Sequence, residues 1–580
     1  MEKLSHTTES IIDENVEKLA GLFPEVVTEV REPDGSLRHT IDVDALRERV
    51  GDVAEGQRER YQFTWPGKRE AKQEAYRQID KCLRPCPEES VNWDTTQNLY
   101  IEGDNLDALK LLRNTYAGKV KMIYIDPPYN TGHDFIYDDD FARSKAEYDA
   151  ESGDYDEEGG RLVANPESNG RFHSDWCSMM YPRLLLARDL LSEDGVIFIS
   201  IDEKEHANLR RICDDVFGES NRLNTIIWRY TSGGIPESGK FSAKHDTILL
   251  YAKFNGRQNI SIPFEKSYSK TIPEPHTESG MRLGVKRDDK CEFCGGHPGA
   301  KYRQVVMRDV WTDINSLFRN NFEKKILEEM GVSFDTQKPI MLIERMLKTA
   351  TNEGDLILDF FSGSATTAHA VMNLSASSEQ NRHFILVQLP EPCDEKSETT
   401  KVGYKNICEI GKERIRRAGR KIVSEVEESN RQLKLGEERR KVPDIGFRVL
   451  KIDSSNFEDI AMEPDKLSQD AMLEHADNLK FDRTPDDLII QVMLEKQIEL
   501  SASIEKLDID GHMVFSVDGG RLVACFDRDV SVEVMMAMAK MTPEPDYAVM
   551  RDASFAGDDA VSNFAEIFKN YSPVTEVEVI

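Results

Sequence analysis

The chain has 580 residues, of which 39% are hydrophobic and 31% charged, as expected for a soluble protein of two to four domains. No apolar run approaches the ~18 residues of a membrane span, and the first residues, MEKLSHTTES, lack the basic and apolar regions of a secretory signal. A cytoplasmic protein without a membrane partner is therefore expected. The net charge of −31 disfavours a nucleic-acid partner for the chain as a whole. Residues 453–580 alone contain 28 acidic and 10 basic residues, however, so a DNA partner for the rest of the chain is permitted.

The first elements alternate between strand and helix. Residues 1–90 are highly charged and are predicted to form an N-terminal helical region. From residue 98, NLYIEGDNLDALKLL predicts a short strand, a turn and a helix, and VKMIYID is a continuous apolar strand of the kind that is buried in a parallel sheet. WCSMMYPRLLLARDLLSEDG then predicts an amphipathic helix, and VIFISID another buried strand. This alternation predicts an open α/β sheet.

The alternation stops after HDTILLYAK (245–253). Residues 255–331 contain many turn formers and scattered aromatic residues, which indicates an inserted module. The α/β pattern resumes with KPIMLIERMLKTA, DLILDFFSGSATTAHAVMNL and HFILVQL. The final segment, 440–580, is acidic and is predicted to form an α+β domain that contacts proteins, because its charge would repel phosphates.

The stretch KMIYIDPPYNTG places Asp126, Pro127, Pro128 and Tyr129 directly after a buried strand. Each proline lacks an N–H and restricts the residue before it, so the chain leaves the sheet in a rigid turn. A purine amine is a poor nucleophile because its lone pair is delocalised, and it must become tetrahedral to attack a methyl sulfonium. The Asp126 carboxylate and the Pro127 carbonyl can accept its two N–H groups, while Tyr129 can stack on an extruded base. The stretch therefore predicts methyl transfer to the amino group of a base.

A second motif, LILDFFSGSATTAHAV, places a loop of small residues between a strand ending at Asp359 and a helix. Such a loop lets a ligand approach the backbone at the carboxyl ends of parallel strands, where open α/β sheets bind cofactors. Two simpler interpretations stay open: Asp359 as a helix cap, and the Asp126 turn as a purely structural turn. No G-x-x-x-x-G-K-[ST] loop occurs, so an ATP-driven motor is not expected.

Taken together, these motifs resemble the DNA amino-methyltransferases, specifically the permuted group whose catalytic motif precedes the cofactor loop. YIDPPYNTG, RFHSDWCSMMYPRLLLARDLL, TQKPIMLIERML and ILVQLPE look most similar to the modification subunits of type III restriction-modification systems. The resemblance is dense from about residue 98 to 420 and sparse over the insertion. It implies a mostly parallel Rossmann-like methyltransferase sheet, with a catalytic half at 91–254, a target-recognition module at 255–331 and a cofactor half at 332–439.

The resemblance also implies a role for each matching residue. The catalytic residues are Asp126, Pro127, Pro128 and Tyr129. The residues expected to contact S-adenosylmethionine are Asp104, Lys338, Pro339, Asp359, Phe361, Gly363, Ser364, Thr366, Thr367 and Gln388. Lys338 and Pro339 are expected as the cap of the helix before the cofactor loop, and Glu391 is an alternative to Gln388 at the ribose. Ala365 departs from the second glycine that is commoner in this loop.

The favoured interpretation is N6-methylation of a flipped adenine in specific double-stranded DNA sequences. The resemblance implies a homodimer and a separate ATP-dependent restriction subunit. The alternatives are a stand-alone DNA methyltransferase, a cytosine-N4 methyltransferase, a catalytically silent DNA-binding subunit and a protein glutamine methyltransferase. The residues themselves do not specify the recognised bases or the methylated strand.

No metal site is predicted. Cys291, Cys294 and His297 offer three ligands, but structural zinc takes four and no second pair is suitably spaced. The nine cysteines are odd in number and lack framework spacing, so reduced thiols are expected. Asp202 and Glu203 are interpreted as a strand end beside the active cleft rather than a paired acid site.

Overall fold

The computed structural model provides the fold of most of the chain. It describes residues 10–23, 26–31, 37–43, 46, 63–131, 135–137, 162–164, 171–229, 245–257, 264–268, 302–306, 309–311, 314, 338–393, 403–433, 438–458, 479–555 and 558–580. None of the helices in these ranges combines the length and apolar composition required to cross a membrane. Cys291, Cys294 and His297 lie outside the described residues.

Eleven α-helices and twenty-one strands are assigned within the described ranges. The helices are α1 Ile11–Leu22, α2 Lys68–Tyr76, α3 Asn105–Tyr116, α4 Phe172–Leu190, α5 His206–Cys213, α6 Ile340–Ala350, α7 Thr366–Ser378, α8 Ile407–Arg431, α9 Pro485–Glu495, α10 Val532–Ala539 and α11 Asp558–Tyr571. The strands are β1 Val27–Arg31, β2 Leu37–Ile41, β3 Lys81–Pro85, β4 Leu99–Glu102, β5 Val120–Ile125, β6 Phe135–Tyr137, β7 Leu162–Ala164, β8 Leu191–Ile201, β9 Arg222–Arg229, β10 His245–Ala252, β11 Phe264–Tyr268, β12 Tyr302–Val306, β13 Val310–Trp311, β14 Leu356–Asp359, β15 His383–Gln388, β16 Arg448–Ser454, β17 Ile504–Ile509, β18 His512–Val517, β19 Leu522–Cys525, β20 Tyr547–Met550 and β21 Glu576–Val579.

The main sheet has ten strands in the order β13-β9-β10-β8-β5-β14-β15-β4-β16-β3. The six strands from β8 to β16 run parallel to one another. Strands β10 and β9 extend one side antiparallel, and β3 closes the other side antiparallel to β16. Every residue of β5 is buried, in agreement with its continuous apolar sequence. The predicted open, mostly parallel α/β sheet is confirmed.

One edge of the main sheet is built from strands that lie beyond the predicted limits of the methyltransferase core. Strand β3 lies in the region 1–90 that was expected to be helical, and it pairs with β16 from the region 440–580. Strand β16 in turn lies parallel to β4. The predicted boundaries at 90 and 440 therefore fall inside one sheet. The sequence carried no local sign of this, because the partners of β3 and β16 are hundreds of residues apart along the chain.

The C-terminal region forms a second sheet in the order β17-β18-β19-β20-β21, with α10 and α11 packed against each other. Its first helix, α9, packs on β3 and α3 of the main unit. At this contact the side chains of Asn114 and Thr115 both donate to the Leu494 carbonyl. The described apolar core runs without interruption from the main sheet into β18 and β19. Residues 479–580 are thus packed onto the methyltransferase sheet.

Arg448, the first residue of β16, joins the two regions. Its guanidinium is 1% exposed and donates to the carbonyls of Trp93, Leu500 and Ala502. It also lies 5.1 Å from the centroid of the Trp93 ring. One buried side chain therefore satisfies main-chain acceptors on both sides of the contact.

Candidate active site at the carboxyl ends of the parallel strands

The two predicted motifs meet at one edge of the main sheet. Strand β5 ends just before Asp126, and its parallel neighbour β14 ends at Asp359. The next strand, β15, ends at Gln388. Because parallel strands present their carboxyl ends at the same edge, residues far apart in sequence line one cleft. Asp202, which follows β8, lies on the other side of β5, so the structure places it at a strand end beside this cleft.

The predicted catalytic turn, residues 126–129, is held by buried groups on both sides. The indole Nε1 of Trp176 donates to the Pro128 carbonyl at 2.8 Å. Asn130 adopts a left-handed conformation with φ 58°, and its side-chain amide donates to the buried Glu205 carboxylate at 2.6 Å. Glu205 also contacts Nδ1 of His173. The Tyr129 hydroxyl donates back to the Asp126 carboxylate at 2.9 Å. The turn is therefore rigid for reasons beyond its two prolines.

Lys338 lies in a cluster with Asp126 and Tyr129. Its ammonium is 2.9 Å from each Asp126 carboxylate oxygen and donates to the Tyr129 hydroxyl at 2.7 Å. The expectation that Lys338 and Pro339 form a helix cap is met at Pro339, the N-cap of α6. The direct contact between Lys338 and Asp126 was missed, because the spacing of 212 residues gives no sign of it.

Asp246, on β10, is a second carboxylate of this cluster and was also missed. Its Oδ2 lies 3.6 Å from the Lys338 ammonium and 3.4 Å from the Tyr129 hydroxyl. Burial raises the pKa of Asp246, an effect that the Lys338 charge opposes. Burial first, and then the charges of Asp126 and Asp246, raise the pKa of Tyr129 well above its ordinary value, so its hydroxyl stays protonated. In the sequence, Asp246 stands out only as the acid of the pair HD in KHDTILLYAK (244–253).

The cofactor loop runs from Asp359 into α7 and is fixed by its own hydrogen bonds. The Asp359 carboxylate accepts from the Phe361 amide and from the Thr367 hydroxyl, and burial raises its pKa to about 7. The Gln388 side chain accepts from the Gly363 amide at 2.6 Å and donates to Glu391 at 3.3 Å. The simpler interpretation of Asp359 as a helix cap is wrong, because the N-cap of α7 is Ala365, which has no side-chain capping bond.

Arg414 of α8 forms hydrogen bonds to the same loop. Its guanidinium is buried and donates to the Ser364 carbonyl, the Ser364 hydroxyl and the Thr366 hydroxyl. Arg414 belongs to the stretch KERIRRAGRK (412–421), a run of basic residues that taken alone would indicate a solvated helix face. The structure buries two of its cations, since Lys412 also lies inside and pairs with Glu102 and with Glu89.

One position in the loop, Gly363, leaves room for a ligand. Gly363 has φ 49°, and a side chain added there would meet no atom within 4 Å. Ala365 keeps the left-handed path at φ 60°, ψ 39° that the commoner glycine would adopt with less strain.

Asp104 is the N-cap of α3, where one carboxylate oxygen accepts from the Leu106 and Asp107 amides. Its other oxygen is buried without a hydrogen bond from the described residues and lies 3.7 Å from Arg183.

Replacing Trp176 with phenylalanine is expected to slow catalysis. The Pro128 carbonyl loses its donor, so the turn relaxes, and a shift of ~1 Å in a catalytic group can cost up to ~100-fold in rate. The matched control is Trp65→Phe, since Trp65 is also buried but donates to Ser178, away from the turn. Steady-state kinetics should show kcat falling at least about tenfold for the first variant only. Equal losses in both variants would mean that the effect is general destabilisation.

Comparison with known proteins agrees with this geometry. Residues 120–415, more than half of the chain, match the family model described as DNA methylase. The chain belongs to the DNA methylase family. The match begins at β5 and ends in α8, so it includes the catalytic turn, Lys338, the cofactor loop and Arg414.

Members of this family with restriction-modification names are similar over much of the chain. The StyLTI Mod subunit of Salmonella typhimurium, a type III restriction-modification enzyme, is 34% identical over 417 residues, 62% of this chain and 63% of that protein. The type III EcoP15I Mod subunit of Escherichia coli is 28% identical over 544 residues, 78% of this chain and 80% of its own length. The type II methyltransferase M.KpnI of Klebsiella pneumoniae is 26% identical over 54% of this chain and 86% of that enzyme. The resemblance stated from the motifs is confirmed.

Solved DNA methylases also align with the chain. The PvuII DNA methyltransferase (cytosine-N4-specific) is 14% identical, with a TM-score of 0.33 over 59% of this chain and 95% of that one. A structure titled M1.HpyAVI-SAM complex is 15% identical, with a TM-score of 0.30 over 55% of this chain and 99% of that one.

Proposed function

We propose that the chain is an S-adenosylmethionine-dependent N6-adenine DNA methyltransferase, the modification subunit of a type III restriction-modification system. The observation that carries the proposal is the position of Asp126 and Pro127 at the end of β5, beside the Asp359 loop at the end of β14. An acceptor pair for an amine thus lies next to a loop with room for a cofactor. The names of the StyLTI and EcoP15I relatives support the type III assignment.

The acceptor pair activates the target amine. The Pro127 carbonyl receives no hydrogen bond from the described residues, so it is available to one N–H of the base. The Asp126 carboxylate accepts the other N–H, which localises the nitrogen lone pair and positions it for attack. Tyr129 gives the ring on which the extruded base stacks, and a carboxylate also offers a place for the proton that the amine loses after it is methylated.

The cofactor loop fits S-adenosylmethionine, which supplies an electrophilic methyl group when bound. Open space at Gly363 admits a ligand close to the backbone, and Asp359 offers a carboxylate to a positively charged amino group. Gln388 and Glu391 lie at the end of β15, where they can bind ribose hydroxyls. The shape of the loop is assigned to Phe361, Ser364, Thr366 and Thr367. Asp104 is assigned to the adenine end of the cofactor. Pro339 is assigned only to the orientation of α6.

The direct test of the proposed function is methylation of DNA. Purified protein with tritiated S-adenosylmethionine should label double-stranded DNA, and sequencing with base-modification detection should place N6-methyladenine at one short sequence. N4-methylcytosine at the mapped sites would support the cytosine alternative. The absence of labelling in any DNA, by a folded protein that binds S-adenosylmethionine, would contradict the proposal.

The pH dependence of cofactor binding follows from the raised acid pKa values. Burial raises the pKa of Asp359 and of Glu391 to about 7, so both gain protons as the pH falls through 7. Protonation removes the negative charge that the cofactor's amino group needs at Asp359. Cofactor affinity should therefore be highest above pH 7 and fall below it, by at most about tenfold per pH unit for one such group.

Calorimetric titration between pH 6 and pH 8 would measure this effect. Asp359→Asn should bind weakly, with a reduced pH dependence, whereas Glu391→Gln should keep the dependence if Asp359 is the main group. The reverse pattern would assign the pH dependence to Glu391. Equal cofactor affinities of the wild type at pH 6 and pH 8 would show that neither Asp359 nor Glu391 controls cofactor binding.

The target-recognition function is assigned to residues 255–331, most of which lie outside the described residues. Base-edge contacts specify a sequence, whereas phosphate contacts only position the protein. Exchanging this module for that of a relative should therefore change the methylated site. An active, folded chimaera that keeps the original site would place recognition elsewhere in the chain.

The proposed partners are duplex DNA with a flipped adenine, a second copy of this chain and an ATP-dependent restriction subunit, in the cytoplasm. The acidic C-terminal region is assigned to the protein contacts, because its charge disfavours DNA. Light scattering at micromolar concentration should show a dimer. Failure of any ATPase to copurify from the native source would favour the stand-alone alternative, which the long match to M.KpnI also supports.

A further inference from the structure

The Lys338 ammonium occupies the position that the target amine requires. It is equidistant from the two Asp126 oxygens, at 2.9 Å from each, and lies 4.9 Å from the centroid of the Tyr129 ring. In the proposed reaction the base amine must bond to the same carboxylate, with the base on the same ring. The ammonium and the amine therefore cannot both hold Asp126 fully, and Lys338 must yield at least one oxygen when the base enters.

A second carboxylate lies within reach of the same ammonium. Asp246 Oδ2 is 3.6 Å from Lys338 Nζ, and its side chain is 11% exposed. The Tyr129 hydroxyl lies between the two acids, 2.9 Å from Asp126 and 3.4 Å from Asp246. A small rotation of the long lysine side chain is sufficient to exchange one carboxylate for the other.

We propose that Lys338 occupies the amine position while no base is bound, and that Asp246 receives its ammonium when the target base enters. Asp246 is thus a positioning residue that acts through Lys338. The proposal rests on the proposed function, because it assumes that a base amine bonds to Asp126. It assigns a role to Asp246, a carboxylate that lies outside the catalytic turn.

The exchange explains why a cation and two acids share the site. A buried ammonium without a counter-ion is strongly disfavoured. If no second acid were present, moving Lys338 away from Asp126 would therefore cost a large free energy. Asp246 makes the movement an exchange of one ion pair for another. Asp126 then loses its cation, which makes its carboxylate a stronger acceptor at the moment when the amine has to be activated.

A double-mutant cycle between Lys338 and Asp246 tests the proposal. The DNA is a duplex carrying the site mapped by sequencing, with 2-aminopurine next to the target adenine, because its fluorescence rises when the neighbouring adenine leaves the stack. A second duplex without 2-aminopurine gives the single-turnover rate of methyl transfer. The variants are Lys338→Met, Asp246→Asn and the double variant, and Glu203→Gln is the control for an exposed acid on the neighbouring loop.

The proposal predicts a distinct pattern. Asp246→Asn should reduce the 2-aminopurine signal and the methyl-transfer rate at least tenfold. Lys338→Met should increase the signal, because the amine position is vacant. In the Lys338→Met background, Asp246→Asn should change the signal less than twofold, and cofactor affinity should vary less than threefold throughout. Glu203→Gln should match the wild type.

Two results would overturn the proposal. An equal effect of Asp246→Asn in both backgrounds would show that Asp246 acts without Lys338. A reduced signal in Lys338→Met would show that the lysine helps the base to enter. The signal of Lys338→Met alone remains decisive if Asp246→Asn does not fold. Absence of methylation by the wild type would instead refute the proposed function, whereas an active wild type with an additive cycle refutes only this inference.

Discussion

Replacing Asp126 with alanine is expected to abolish methyl transfer to DNA while cofactor affinity stays within a few fold of the wild type. The carboxylate acts on the acceptor base, whereas the cofactor loop is held by contacts of Asp359, Gln388 and Arg414 that do not include Asp126. Removing a positioned acid–base group typically costs ~10²–10⁴-fold in rate. Tritiated methyl incorporation and calorimetric cofactor binding measure the two quantities separately.

The variant leaves the Lys338 ammonium without its main partner, so a folding control is needed. Asp126→Asn retains the size of the side chain and one carbonyl acceptor, and should therefore keep more activity than Asp126→Ala. Both variants should melt within a few degrees of the wild type. Methylation close to the wild-type rate by Asp126→Ala would refute the assignment of the catalytic turn.

The second large effect is expected at Arg448, and it concerns stability. Replacement by methionine removes the donor to three main-chain carbonyls, of which that of Leu500 is buried and those of Trp93 and Ala502 are partly buried. A buried acceptor without a partner costs ~1–3 kcal/mol and a partly buried one less, and the loss is partly offset because a buried cation is also removed. We expect the free energy of unfolding to fall by roughly 3 kcal/mol, the size typical of a broken buried network.

Denaturant unfolding followed by circular dichroism measures this loss. The matched control is Arg431→Met at the end of α8, where the arginine is 76% exposed and pairs only at 3.5 Å with Glu427. Exposed ion pairs contribute ~0–1 kcal/mol, so the control should unfold close to the wild type. If Arg448→Met and the control have the same free energy of unfolding, the contact between β16 and residues 500–502 contributes little to stability.

The sequence predicted the central strands and both motif loops correctly because their signals are local. An apolar run such as VKMIYID has to be buried wherever it lies, and Pro127 and Pro128 end a strand regardless of its neighbours. For such elements, short-range chemistry decides the structure.

The misses share a different cause, which is pairing over long sequence distances. Lys338 and Asp246 join Asp126 only through the order of strands in the sheet. Arg414 looks like a surface cation in its own helix, and its burial depends on the loop that packs over it. Strand β3 is short and polar, and it becomes a strand because β16 presents an open edge. No local pattern specifies such partners.

The pairing of β4 with β16 has a consequence for protein synthesis. Arg448 opposes Leu99 in the sheet, although 349 residues separate them along the chain. A ribosome that adds ~5–20 residues per second needs roughly 20–70 s to deliver the second strand after the first. During that interval the edge of β4 is open to other chains, which makes the nascent protein a client for chaperones. A message truncated before codon 448 would yield both motifs and still no complete enzyme.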